Sequence, residues 1–112
     1  MNSNIVFKEY GIIDVTRFDA TPENPEVGYV CGGFVTVLSD GRILIHDANE
    51  GRKLLEDFRV SDLIRVNTHV NDDDPEYEKE TALLKMDKSI RITFTEIEEK
   101  ERFIEALENL IM

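Results

Sequence analysis

Residues 70–80 read VNDDDPEYEKE, and six of these eleven positions are carboxylates: Asp72, Asp73, Asp74, Glu76, Glu78 and Glu80. Acid at this density can ligate a hard cation or imitate the phosphates of a nucleic acid; otherwise it simply solvates a loop. Asp72, Asp74 and Glu76 occupy the first three ligand positions of a calcium loop. The pattern then fails. The sharp turn needs Gly where the chain has Tyr77, and the closing bidentate Glu falls on Leu83. No metal and no cofactor are expected. The phosphate-mimic reading has a second element, because Glu98, Glu101, Glu105 and Glu108 recur at helical steps of three and four.

Nucleophilic or acid–base chemistry would need Cys31, His46 or His69. His46-Asp47 is adjacent in sequence, yet His46 shares strand parity with Leu44 and ends a hairpin. Cys31 sits in GYVCGG, which is no phosphate loop because no Gly-Lys-Ser/Thr follows. A small buried thiol and a polar strand end account for both residues. No catalytic residues are assigned, and the chain is not expected to be an enzyme.

The elements that position these groups follow from composition and period. The 112 residues suit a single domain, 1–112, with 41% hydrophobic residues for one core. Net charge is -11 and the sequence pI is about 4.5. That balance repels nucleic acid and anionic lipid, so direct binding of either is not expected. One cysteine permits no internal disulfide, and the opening MNSNIVFKEYG has neither a basic nor an apolar leader pattern. A soluble protein of the reducing cytoplasm is the expectation.

β-branched and aromatic residues mark a strand from Ile5 to Phe18, bent at Gly11, before a Pro- and Gly-containing loop over 19–28. YVCGGFVTVL and RILIHD flank Asp40-Gly41, a hairpin signature, with the paired glycines of the first arm suited to a bulge or strong coiling. Leu54–Val60 and Leu63–Val70 read as strands around Ser61-Asp62. Ala82–Met86 and Ser89–Phe94 read as a hairpin over Asp87-Lys88. The period then changes to 3.6 over about 96–111. Thr95 and Glu98 fit a capping box, and Ile97, Phe103, Ile104, Leu107, Leu110 and Ile111 fall on one face.

FRVSDLIRV at 58–66 resembles the strand–turn–strand of pleckstrin-homology-like (PH-like) domains, and FIEALENLI at 103–111 resembles their helix, with Phe103 where Trp is usual. The resemblance, with the strand order, covers most of the chain. It implies an α+β, mainly β fold: a PH-like half-open barrel of about seven antiparallel strands in two sheets, one end plugged by a C-terminal amphipathic helix. Such domains are generally binding modules. Members that bind phosphoinositides use Lys and Arg of the first two strands and their loop. Here that loop carries Asp19, Glu23 and Glu26, and only the separate pairs Lys8/Arg17 and Arg52/Lys53 are basic. Other members add a peptide strand between the fifth strand and the helix. The resemblance therefore implies a protein or peptide partner docking along Leu63–Val70 and the helix, and the acidic surface favours a basic one. Alternation turns Arg65, Asn67 and His69 outward there. The alternative is a small acidic inhibitor, with Asp72, Asp73, Asp74, Glu76, Glu98, Glu101, Glu105 and Glu108 as the surface that imitates nucleic acid. Phosphoinositide binding is a third reading, disfavoured by the missing basic motif.

Overall fold

The computed structural model describes residues 4–17, 28–49, 51–63, 65–67 and 80–111. Among the described residues seven strands form, β1 (Ile5–Arg17), β2 (Gly28–Leu38), β3 (Arg42–Asp47), β4 (Leu54–Arg59), β5 (Arg65–Asn67), β6 (Thr81–Lys85) and β7 (Lys88–Phe94), followed by helix α1 (Ile97–Ile111). Phe18, the loop through Val27, His69 and the acidic run as far as Lys79 lie outside the described residues.

All strand pairings are antiparallel, and the order is β4-β3-β2-β1-β7-β6-β5. The expected two sheets are thus one continuous sheet, because β1 serves both halves. It pairs with β2 from Ile5 to Thr16 and with β7 from Gly11 to Arg17. Gly11 marks where the second partner joins. A Cβ there would stand 3.0 Å from the Thr93 carbonyl oxygen and 3.1 Å from Ile92 Cγ2. A larger residue would hold β7 off.

The sheet curls far enough to bring β4 and β7 together, although three strands separate them in the order. Lys88 of β7 meets Glu56 of β4 at 3.1 Å. Inward positions of both halves fill the interior, with Ile13, Val35, Ile45, Leu84, Ile90 and Ile92 fully buried. Alternation on the strands decides this, since residues two apart share a face.

α1 closes one end. Phe103 packs between Phe7 and Phe94 with ring centroids 5.3 Å from each, and the two strand rings meet edge-to-face at 5.7 Å. Leu107 completes the buried stripe, with Ile104 and Leu110 packed beside it. Ile97 departs from the expected core face. It stands at the first helical position, ahead of the first buried residue, Lys100, and is 37% exposed. The helix start is also shifted by one residue. Glu99, not Glu98, reaches back, its Oε1 accepting from the Thr95 N–H at 3.1 Å and the Glu96 N–H at 3.3 Å. The i to i+4 backbone bond from the Lys100 N–H to the Glu96 carbonyl puts the cap at Glu96, so Glu99 is the third residue of the helix.

The turns follow their chemistry. The Asp40 carboxylate accepts the Arg42 N–H at 3.0 Å, and Gly41 takes a φ of 93°. Ser61-Asp62 lies in a 3₁₀ turn, Val60–Asp62, so β4 stops at Arg59 and the Asp62 carboxylate accepts the Arg59 N–H at 2.9 Å. β5 is a short pair against β6, three residues of the longer strand expected over Leu63–Val70. The β2 glycines do not form a bulge. Pairing with β1 runs in register through Gly32 and Gly33, and the bulges sit instead at Ile5/Phe7 and Ile45/His46.

Candidate functional site

The sequence-derived contacts Arg65 and Asn67 lie on β5, opposite Lys85 and Leu83 of β6. β5 ends the strand order, so among the described residues its outer edge carries no further strand. α1 rests on β1, β6, β7 and the 3₁₀ turn that leads toward β5. The third contact, His69, lies outside the described residues, as do Asp72, Asp73, Asp74 and Glu76. The remaining acidic positions, Glu98, Glu101, Glu105 and Glu108, are all exposed on α1. Arg102 interrupts them and pairs with Glu9 at 3.1 Å.

His46 and Asp47 do not form a dyad. Consecutive strand residues face opposite sides, and His46 faces outward beside Phe34 while the Asp47 carboxylate accepts the Asn49 N–H at 2.8 Å. Cys31 is half-buried against the core, on the inward side away from His46. Burial, reinforced by the charge of Asp47, pushes its thiol up from the ordinary value, which disfavours the nucleophilic thiolate. Among the described residues no group of three or more His, Cys, Asp or Glu is placed to hold a metal ion.

A polar cluster occupies the barrel interior away from Phe103. Glu56 is 5% exposed, and its Oε2 takes the Lys88 ammonium. Glu56 Oε1 and the Tyr29 hydroxyl are both sealed from solvent, and neither achieves hydrogen-bonding geometry. Burial first, and then the neighbouring Glu56 charge, push the Tyr29 phenol well above its ordinary range.

The outer face of the β1–β4 half holds what sequence reasoning missed. Cross-strand register aligns Tyr10, Phe34, His46 and Leu54 in one row over four strands. Tyr10 and Leu54 are 40% and 45% exposed, and Ile12 beside them 43%. Tyr10 and Phe34 stack edge-to-face at 5.8 Å. Lys8 Nζ lies 5.9 Å and the Arg52 guanidinium 5.0 Å from the Phe34 ring centre. One residue from each of the two separate basic pairs in the sequence thus converges on a single ring. A depression of about 330 Å³ opens here, lined by Lys8, Phe34, Thr36, Leu44, His46 and Arg52 among others. A second groove of about 490 Å³ runs between the start of β1 and the C-terminal half of α1, and shares Ile5 and Lys8 with the first. The signal for the outer row was the parity of Lys8, Tyr10 and Ile12. The register that aligns β1 with Phe34 and His46 was not available from parity alone.

No family model matches the chain, and no curated protein matches it. Solved structures do. The Ran-binding domain of the nuclear complex component Nup2 from Ashbya gossypii superposes with a TM-score of 0.68 at 13% identity, over 98% of this chain and 96% of that one. The apo structure of the activated truncation of Vav1 gives a TM-score of 0.67 at 16% identity, over 96% of this chain but only 26% of that one. The PH domain from PfAPH gives 0.58 at 15% identity, over 88% and 78% of the two chains. Likeness at such identities speaks for the fold alone. In strand order, shared first strand and helical plug, this chain has the pleckstrin-homology-like fold.

Proposed function

We propose that the chain is a non-catalytic protein-interaction module, with a partner segment that adds along β5 and extends over α1. The observation that carries this reading is the position of β5. It is a terminal strand whose outer edge carries no further strand among the described residues, so its backbone can accept another strand. Arg65, Asn67 and His69 supply the side-chain contacts. The exposed Glu98, Glu101, Glu105 and Glu108 favour a basic partner and make the association salt-sensitive. The similar Ran-binding domain is named for a protein that it binds, which supports the same class of function.

The test is affinity capture from the native host in the presence of nuclease, followed by titration of the recovered partner. Arg65→Glu combined with His69→Glu is expected to weaken that complex, and unchanged affinity would exclude the β5 edge. The acidic row on α1 supports a second reading, an inhibitor that imitates nucleic acid. A complex displaced by added DNA or RNA would select that reading; a partner on β5 is indifferent to both.

A further inference from the structure

We propose that the outer face of the β1–β4 half is a separate docking surface for an acidic segment of a partner protein, one that carries a large apolar side chain between its carboxylates. This surface is independent of the β5 edge, and either proposal can fail alone.

The apolar part of this surface is the row Tyr10, Phe34, His46 and Leu54, flanked by Ile12 and Leu44. Helix α1 plugs one end of the barrel, away from this face; Tyr10, Ile12 and Leu54 each expose two fifths or more of their surface. Contiguous exposed apolar surface of this kind marks a contact face, and the depression of about 330 Å³ has room for one large side chain.

Charge selects the occupant. Lys8 and Arg52 both reach the Phe34 ring, and among the described residues no carboxylate pairs with either cation. The nearby Asp57 is already engaged by Arg42 at 2.8 Å. Ring contact holds the two cations in place before any ligand arrives, which lowers the ordering cost of binding. Arg52 is also set by backbone. It is the one non-glycine with positive φ among the described residues, at 43°, and its N–H bonds the Asn49 carbonyl at 3.1 Å. A left-handed conformation is unfavourable for a residue with a Cβ and a bulky side chain. Here it turns the guanidinium across the sheet face. Strained residues concentrate where a side chain is aimed at a ligand.

An extended acidic segment meets only the depression and its two cations. A bilayer would press on a much larger area and would meet the whole field of a chain with a net charge of -11. The geometry therefore favours a peptide over an anionic membrane.

The probe is a fluorescein-labelled peptide with Asp and Glu flanking a central Leu-Phe pair, titrated by anisotropy and mapped by amide chemical shifts. Binding is expected to be saturable and to weaken with salt. Shifts are expected on Lys8–Ile12, Gly32–Thr36 and Leu44–His46. Lys8→Glu with Arg52→Glu is expected to reduce affinity about tenfold or more, and Tyr10→Ser to reduce it independently of charge. All three residues are exposed, so the fold is spared. Arg91→Glu, on β7, is expected to leave affinity unchanged. The proposal is overturned if the peptide does not bind, if shifts fall on β5 and α1, or if Arg91→Glu weakens binding as much as the double reversal does. It is equally overturned if phosphatidylcholine vesicles containing phosphatidylserine bind through these residues and the peptide does not.

Discussion

The Lys88 ammonium lies 3.1 Å from the Glu56 carboxylate, joining β7 to β4 across the barrel interior rather than through the sheet. Glu56 is almost wholly buried, whereas the Lys88 side chain keeps about a fifth of its surface. Removing the cation strands a carboxylate that water cannot reach. Lys88→Met is therefore expected to destabilise the fold by about 2–4 kcal/mol, below the full cost for a completely buried pair because Lys88 is partly wet. Glu56→Leu with Lys88→Met should cost less than Lys88→Met alone, since two apolar groups replace the stranded charge. Urea unfolding of the three proteins checks the order. A double variant no better than Lys88→Met would show that the pair does not act as a unit.

Beside that pair, the Tyr29 hydroxyl is sealed from solvent next to the Glu56 carboxylate without good hydrogen-bonding geometry, and burial first, then the Glu56 charge and its polar contact, raise the phenol. In the unfolded chain the phenol ionises near pH 10, while in the folded chain it keeps its proton to higher pH. The native state then binds more protons than the unfolded state, so stability falls as pH rises above about 10. Cys31, raised by burial and by Asp47, adds loss of the same sign from about pH 9. Tyr29→Phe should cost about 1 kcal/mol or less at pH 7, because the hydroxyl makes only a poorly aligned contact with Glu56, and should flatten the alkaline loss. Denaturant midpoints from pH 7 to 11 test this. An equal alkaline slope in the variant would assign the loss to other groups.

The two β2 glycines give opposite expectations for one added methyl group. At Gly32 the Cβ would come within 2.5 Å of the Tyr10 hydroxyl oxygen, the free end of an exposed side chain that can swing away. At Gly33 it would stand 2.9 Å from the His46 carbonyl oxygen and 2.9 Å from Ile13 Cγ1, which are backbone and core. Gly33→Ala should cost about 1–3 kcal/mol, the scale of an overpacked core, and Gly32→Ala should cost less. Thermal midpoints rank them. Gly32→Ala should also shift the Tyr10 ring resonances, which Gly33→Ala should leave in place.

Much of this architecture was readable from period and turn chemistry. YVCGGFVTVL and RILIHD read as strands about Asp40-Gly41, and the structure pairs them there, with Val35, Val37, Ile43 and Ile45 buried at alternate positions. These are local rules, satisfied within a few residues. Register across four strands is a long-range property. The row Tyr10, Phe34, His46 and Leu54 depends on the pairing of four strands and on a register shift between Ile45 and His46 that no dipeptide announces. Likewise Lys8 and Arg52 are 44 positions apart, and only the folded sheet brings them to one ring. Glu56 reads as a solvent residue by type, yet the curl of the sheet buries it. The residues of greatest interest were those whose surroundings are set by tertiary geometry.

The helix start shows the same limit one residue at a time. Thr95 and Glu98 satisfy the sequence form of a capping box, but a cap one residue later makes Glu99 the third helical residue. Its Oε1 accepts two backbone N–H groups that would otherwise lack partners within the helix, and its charge lies near the positive end of the helix dipole. Glu99→Ala should cost about 0.5–2 kcal/mol, the scale of losing a cap. Glu98→Ala, whose side chain is exposed, should cost little beyond its share of the dipole interaction. Because α1 carries Phe103 into contact with Phe7 and Phe94, fraying at its start should also raise amide exchange along the first turn in Glu99→Ala. Equal losses in the two alanine variants would place the cap back at Thr95.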